Sequence, residues 1–167
     1  MQGSSATTPR VAVRPATGKL GILTPGLGAV ATPFIAGVES VRRGLSQPIG
    51  SLTQMATIRL GKRTEHRAPL IKDFVPITDL NDIVFGGWDI FKDNAYEAAV
   101  KAGVLKISDL EPIKTELEAI EPWAAVYDSR FLKRINGPNV KSAATKMGLA
   151  EQVMEDIGLS RRHETPA

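Results

Sequence analysis

Six consecutive residues near the N-terminus have the types and the spacing needed to hold a phosphate group. They are Gly26, Leu27, Gly28, Ala29, Val30 and Ala31. This G-x-G-x-x-A pattern is typical of the turn that joins a strand to a helix in dinucleotide-binding proteins. The first glycine permits a sharp turn, the second removes a Cβ that would block a pyrophosphate, and the alanine lets the helix approach the strand. The N–H groups of the first helical turn would then bind the phosphates.

A glycine turn without a ligand is the alternative interpretation, because glycine clusters also form ordinary turns. Two features favour the phosphate site. An apolar run, Leu20 to Leu23, precedes the turn, and an uninterrupted helical segment follows it. Pro33 is compatible with that helix, since proline is tolerated in a first turn whose N–H lacks an intrahelical partner.

The elements around this turn alternate between strands and helices. The predicted strands are 19–24, 83–85 and 124–127, and the predicted helices are 28–44, 94–102, 108–120, 128–134 and 139–157. Asp93 is predicted to cap the helix over 94–102 and Gly103 to end it. The alternation predicts an α/β fold, Rossmann-like, with a mostly parallel sheet.

The segment 108–120 carries its own helix signals. Ser108-Asp109-Leu110-Glu111 has the spacing of a capping box. An apolar stripe then recurs at helical spacing, formed by Leu110, Ile113, Leu117 and Ile120. We therefore expect one face of this helix to be buried.

Asp89 is the second candidate for binding. An ordinary Rossmann unit has an acidic residue at the end of its second strand, about twenty positions after the glycines, and no clean strand of that kind occurs here. Asp89 follows the apolar strand 83–85 instead, and ligands bind beyond the carboxyl ends of parallel strands. Its carboxylate could accept hydrogen bonds from a ribose diol or cap the segment that follows, and the pattern leaves both open.

The composition excludes several classes of chemistry. The 167 residues suffice for one domain with a real core, and none is a cysteine, so disulfides and thiolate chemistry are ruled out. Two histidines, His66 and His163, argue against a histidine-rich metal site, and we predict no metal. No apolar stretch reaches membrane-span length and the N-terminus lacks an apolar signal region, so we expect no membrane contact and a cytoplasmic location.

The charge is distributed unevenly along the chain. Residues 1–72 carry ten Lys and Arg against two acidic residues, whereas residues 73–167 carry eleven against sixteen. The basic part contains only Phe34 as an aromatic, so it lacks stacking platforms for bases, and phosphate-bearing small molecules are favoured over nucleic acid. The densest cationic group is Lys62, Arg63, His66 and Arg67, for which a solvated loop is favoured over an anion contact.

Three segments carry a resemblance to a known family. They are GKLGILTPGLGAVATPFIAGV (18–38), PIGSLTQMATIRLGKR (48–63) and DIVFGGWDIFKDNAYEAAVKAGVL (82–105). Together they resemble the amino-terminal part of bacterial myo-inositol-1-phosphate synthases, also called inositol-3-phosphate synthases. The match runs from about Arg14 to about Asp156, and G-W-D-I is its more specific motif.

The resemblance implies an NAD-dependent enzyme of inositol biosynthesis. Family members convert D-glucose 6-phosphate to 1D-myo-inositol 3-phosphate by internal oxidation, aldol cyclisation and reduction, as homotetramers. By resemblance, residues 26–31 line the NAD pyrophosphate, and Asp89 and Ile90 lie at the adenosine end. The glycine turn departs from the asparagine-bearing loop of eukaryotic members, so the side-chain contacts of that loop do not transfer.

Length separates this chain from the family it resembles. Members are more than twice as long and carry their catalytic lysines in a later α/β domain, so we expect an incomplete NAD-binding domain, inactive alone and with unknown catalytic residues. The predicted organisation is a flexible tail at 1–18, a partial Rossmann-like domain at 19–157 and a polar tail at 158–167. The alternative is a non-catalytic nucleotide-binding or interaction module.

Overall fold

Four parallel strands form the centre of the protein. A computed structural model describes residues 18–164, with side chains described as far as Gly158. The strands are β1 (Leu20–Pro25), β2 (Ile83–Asp89), β3 (Trp123–Val126) and β4 (Val140–Lys141). They lie in the order β1-β2-β3-β4, and every neighbouring pair is parallel. The predicted α/β class with a mostly parallel sheet is confirmed.

Helices occupy the connections between these strands. They are α1 (Ala31–Arg42), α2 (Leu52–Met55), α3 (Ile71–Phe74), α4 (Ala95–Ala102), α5 (Ile107–Leu110), α6 (Lys114–Glu118) and α7 (Lys146–Glu164). Three short 3-10 turns lie at Arg63–Glu65, Leu80–Asp82 and Glu111–Ile113. The predicted tail at residues 1–18 falls outside the described residues, apart from Gly18.

The pairing of β1 with β2 brings the two predicted binding segments together. The strands pair along their whole length, from Leu20 opposite Ile83 to Pro25 opposite Trp88. Gly87 is required by this close contact, because a Cβ there would lie 2.4 Å from the Thr24 carbonyl oxygen. Their carboxyl ends are therefore level, and the turn after β1 begins beside the end of β2.

The core lies on one face of the sheet, between α1, α4 and the segment that leads into α6. Ile35, Leu110, Ile113 and Leu117 are fully buried there, and Ile120 packs against the cluster. The predicted apolar stripe is thus confirmed. The helix that carries it is not continuous, since a 3-10 turn containing Pro112 separates α5 from α6.

Two predicted caps were wrong. Asn94, and not Asp93, caps α4: its side chain accepts the Glu97 N–H, and the Glu97 carboxylate accepts the Asn94 N–H. Gly103 ends this helix in the left-handed conformation, as predicted. The capping box predicted at 108–111 does not form, because Ser108 already lies inside α5. The residue at the N-cap position of α5 is Lys106, and its side chain makes no capping hydrogen bond.

Two predicted helices were also wrong. The segment 128–134 forms turns, with the Asp128 carboxylate accepting the Arg130 N–H, and the helix predicted at 139–157 begins only at Lys146. The reason is tertiary: the Asn139 carbonyl accepts the Ala125 N–H, which places the residues after it beside β3 as strand β4. The helix then continues to Glu164, beyond its predicted end.

Candidate nucleotide-binding site

The glycine turn leaves β1 by a backbone conformation that only glycine adopts easily. Gly26 has a φ of 111°. Its N–H donates to the Trp88 carbonyl oxygen at 2.7 Å, which continues the pairing with β2 by one residue. The turn is therefore held against the end of β2 by its own backbone.

Asp89 reinforces the same junction with its side chain. Its Oδ2 accepts the Leu27 N–H at 2.7 Å, and its Oδ1 accepts the Phe91 N–H at 2.9 Å. One carboxylate thus stabilises both the glycine turn and the segment after β2. Each oxygen retains a second lone pair, so the group can also accept a hydrogen bond from a ligand hydroxyl.

The start of α1 presents unpaired backbone donors. The N–H groups of Gly28, Ala29 and Val30 have no hydrogen-bond acceptor among residues 18–164. No side chain caps this end, and the first turn of the 12-residue helix contains no acidic residue. Exposed donors together with the positive end of the helix dipole favour an anion at this position.

Space in front of these donors fits a phosphate. A Cβ built on Gly28 would meet no atom within 4 Å, and Gly28 does not need a positive φ. Neither packing nor backbone geometry within the described residues therefore requires glycine here. Close approach of a ligand to the backbone does account for it, so the residues present fit the pyrophosphate of a dinucleotide.

A cleft of about 740 Å³ opens at this point, at the carboxyl ends of the strands. The glycine turn and the end of β2 form one side, and α4 forms another. The end of β3, at Val126, and the segment after it supply an apolar wall that includes Leu132 and Ile135. Its charged lining residues are Asp89, Asp93 and Lys101.

The structure brings most of the predicted binding residues to this cleft. Those that line it are Gly26, Leu27, Gly28, Ala29, Asp89 and Ile90. Val30 and Ala31 do not line it. Val30 is the exposed residue that flanks α1, and Ala31 packs against the core, in agreement with the close helix–strand approach expected of it.

Several residues that line the cleft were not predicted from the sequence. Ala98, Lys101 and Ala102 reach the cleft from one face of α4, and their i, i+3, i+4 spacing was the available signal. Leu132 and Ile135 had no such signal, because they lie in turns whose path depends on tertiary contacts.

The dense cationic group of the sequence lies elsewhere. Arg63 and Arg67 belong to an exposed excursion between α2 and α3, closed by hydrogen bonds such as Leu60 N–H to the Arg67 carbonyl at 2.9 Å. None of its residues lines the cleft. This placement agrees with the solvated loop that the sequence favoured.

The described part of the chain offers neither a metal centre nor a membrane-spanning helix. It contains no group of three or more His, Asp or Glu side chains suited to holding a metal ion. Of the helices between residues 18 and 164, none combines the length and the apolar character that crossing a bilayer requires.

A parallel sheet, a glycine turn and a ligand-sized cleft at the strand ends define a Rossmann-like nucleotide-binding domain. A family model for an NAD-binding domain, described as myo-inositol-1-phosphate synthase, matches residues 20–165. The chain therefore belongs to the myo-inositol-1-phosphate synthase family, as its motifs suggested. NAD, the cofactor expected from the sequence, is confirmed by this family assignment.

Individual relatives agree with the family assignment. The chain is 56% identical to inositol-3-phosphate synthase 1 of Bacteroides thetaiotaomicron over 146 residues, covering 87% of this chain and 33% of that protein. It is 36% identical to inositol-3-phosphate synthase 1 of Oryza sativa subsp. japonica, covering 83% and 30%. A crystal structure of inositol-3-phosphate synthase from Caenorhabditis elegans matches with a TM-score of 0.73 and 25% identity, over 90% of this chain and 33% of that one. The chain thus spans about a third of the length of these relatives.

Proposed function

We propose that this chain is the N-terminal NAD-binding part of an inositol-3-phosphate synthase. The reaction would convert D-glucose 6-phosphate to 1D-myo-inositol 3-phosphate by internal oxidation, aldol cyclisation and reduction. Family membership and the names of the relatives support this assignment. The catalytic residues of that reaction stay unassigned, and the homotetramer and the cytoplasmic location remain predictions.

The observation that carries the proposal is the set of unpaired N–H groups at the start of α1. Gly28 and Ala29 line a cleft whose neighbouring strand end supplies Asp89, and Val30 follows them directly. We assign the pyrophosphate of NAD to the donors of Gly28, Ala29 and Val30, with residues 26–31 forming the turn around it. NAD, when bound, supplies the hydride acceptor and donor for the two redox steps.

The remaining lining residues fit the adenosine part of the cofactor. Asp89 retains acceptor capacity for ribose hydroxyls, and Ile90 lies beside it at the end of β2. The apolar wall that includes Leu132 and Ile135 suits the faces of an adenine ring. These residues would bind and orient the cofactor and keep water from one side of it.

Calorimetric titration with NAD tests the binding step. We expect the wild-type chain to bind, and Gly28→Ala to weaken binding by about tenfold, because a Cβ would stand between the donors and the phosphates. The free energy of unfolding should change by less than about 0.5 kcal/mol, since that Cβ meets no protein atom. Gly37→Ala is the control for NAD affinity, because it adds a Cβ in open space within α1 and away from the cleft.

Two results would contradict the proposed site. A wild-type chain that shows neither a heat of binding nor a raised unfolding temperature with NAD excludes binding. Equal affinities of Gly28→Ala and wild type exclude these donors as the phosphate site. A ligand that binds only the native state raises its apparent stability, so thermal unfolding with NAD provides an independent measurement.

Phosphorus NMR tests the synthase assignment. D-Glucose 6-phosphate and NAD are incubated with this chain and, separately, with the longest protein encoded at its locus. We expect an inositol phosphate signal only from a protein that also contains the later catalytic domain. A protein with both domains that binds NAD and leaves glucose 6-phosphate unchanged would contradict the assignment and favour a non-catalytic nucleotide-binding module.

A further inference from the structure

An ion pair lies at the cleft, between Lys101 of α4 and Asp93, which precedes the N-cap of that helix. The Lys101 Nζ is 2.5 Å from the Asp93 Oδ1, and the two residues are eight positions apart at opposite ends of the helix. Both residues line the cleft. The Asp93 side chain is 23% exposed and that of Lys101 67% exposed, so the carboxylate is the more enclosed partner.

This pair contributes two of the three charged side chains that a ligand meets in the described part of the cleft. Among the described lining residues, Lys101 is the cation, and Asp89 and Asp93 are the two anions. The Asp89 oxygens already accept the N–H groups of Leu27 and Phe91. Asp93 has no such backbone donor, because Asn94 performs the capping of α4. Its carboxylate is therefore directed to Lys101.

The position of the pair matters for one class of ligand. In Rossmann domains the acidic residue after the second strand bonds the adenosine ribose 2′-hydroxyl of NAD, whereas a nearby cation accommodates the 2′-phosphate of NADP. Under the proposed function Asp89 takes the place of that acid, and Lys101 is the cation among the described lining residues. A phosphate monoester carries about −1.5 to −2 charges and requires an unpaired cationic donor.

We propose that Asp93 is a specificity-determining residue that excludes NADP by holding Lys101. The inference rests on the proposed function, since it assigns the adenosine ribose to the end of β2. The charged residues of the described lining are two aspartates and one lysine, which leaves one net negative charge. The Lys101 ammonium group donates to the Asp93 carboxylate and is therefore not free for another anion. A 2′-phosphate then meets repulsion without a free cation to offset it. Without the Asp93 charge, Lys101 is available to that phosphate.

The test compares dissociation constants for NAD and NADP by calorimetry. The proteins are wild type, Asp93→Asn, the double variant Asp93→Asn/Lys101→Met, and Glu118→Gln. The last is the matched control, because it neutralises the acid of another surface ion pair, Lys114–Glu118, which lies outside the cleft. Asp93→Ser, with circular dichroism of each variant, provides a second neutral replacement.

We expect wild type and Glu118→Gln to favour NAD. Asp93→Asn should bind NADP about five- to tenfold more tightly than wild type, the size expected for freeing one exposed cation toward a phosphate. The double variant should lose this gain. Because the groups are partly exposed, the effect should shrink as salt is added.

The outcomes separate this inference from the function on which it rests. Wild type that binds NAD, together with an unchanged NADP affinity in both Asp93→Asn and Asp93→Ser, overturns the role of Asp93 and leaves the proposed function intact. A gain that persists in the double variant also overturns it, because Lys101 would not be the responsible cation. Wild type that binds no NAD overturns the proposed function itself.

Discussion

The Leu27 N–H donates to the Asp89 carboxylate, with 2.7 Å between the nitrogen and Oδ2. These residues lie 62 positions apart in the sequence, and their hydrogen bond joins the glycine turn to the end of β2. The second carboxylate oxygen accepts the Phe91 N–H at 2.9 Å. Asp89 therefore stabilises the site through its own hydrogen bonds to the protein backbone. The proposed ribose contact would be a second role.

Replacing Asp89 by asparagine should destabilise the chain as well as weaken NAD binding. An asparagine has one acceptor oxygen, so its NH₂ group would face one of the two backbone donors. We expect the free energy of unfolding in urea to fall by about 1–3 kcal/mol, the cost of an unsatisfied polar group. Asp109→Asn is the control, since Asp109 contacts no residue outside its own turn by a side-chain hydrogen bond in the described part.

The same variant distinguishes the two roles of the carboxylate. If Asp89→Asn unfolds at the wild-type urea concentration and only its NAD affinity falls, the group serves the ligand and not the turn. A loss of stability measured without NAD supports the contacts to Leu27 and Phe91.

Asp156 should prove important for the attachment of α7 to the sheet. Its carboxylate is buried, with the residue 4% exposed, and accepts the Trp88 Nε1–H at 2.8 Å and the Lys141 Nζ at 2.6 Å. Asp156→Ala leaves both donors without this partner. We expect a loss of about 2–4 kcal/mol in the free energy of unfolding.

Tryptophan fluorescence gives that variant a local readout. The chain has two tryptophans, and Trp88 and Trp123 have ring centroids 5.2 Å apart. Asp156→Ala should therefore shift the native emission spectrum. Glu155→Ala, at the exposed neighbouring position on α7, should change neither stability nor emission. An unshifted spectrum in Asp156→Ala would contradict the indole hydrogen bond.

Glu39 should make stability depend on pH. Burial raises the pKa of this carboxyl above its ordinary value of 4.5, although the Arg42 guanidinium, 2.5 Å from Oε1, opposes the shift. The folded state therefore holds the proton more tightly than the unfolded chain. This contribution to stability is complete below pH 4.5 and is lost as the pH rises through the raised pKa.

Glu39→Gln isolates that contribution, because the amide keeps an oxygen for Arg42 but does not titrate. The measurement is the free energy of unfolding in urea at a series of pH values. Above pH 4.5, wild type should lose stability relative to the variant as the pH rises. A flat difference for Glu39→Gln would show that Arg42 fully offsets the burial.

Asn94→Ala tests the corrected cap of α4. The variant removes the side chain that accepts the Glu97 N–H, and the Glu97 carboxylate loses the reciprocal geometry. We expect a loss of about 1 kcal/mol in the free energy of unfolding, the usual effect of deleting an N-cap. Asp93→Ala should cost less, and the reverse ranking would restore the cap that the sequence suggested.

Local patterns in the sequence predicted much of the site. The glycine turn was found because the G-x-G-x-x-A spacing is visible in residue type, and Gly26 occupies a position whose backbone conformation favours glycine. The stripe through Leu110, Ile113 and Leu117 was found because helical spacing repeats on one face. Where residues close in the sequence determine a conformation, the sequence pattern was enough to predict it.

The failures occurred where distant residues decide the conformation. The segment after Asn139 has a helical pattern, but its backbone pairs with β3 as a strand, and no local signal announces that pairing. Asp93 and Asn94 are both good caps by type, and the packing of α4 determined which of them occupies the capping position.

By itself, the sequence determined the class of fold, the position of the glycine turn and the family, because all three depend on residue types at short spacings. Only the tertiary structure decided how Asp89 is used. The level ends of β1 and β2 bring its carboxylate to Leu27, and α4 brings Lys101 to the same cleft. Such contacts join residues far apart in the chain, and their geometry follows from strand register and helix packing, which a linear pattern does not contain.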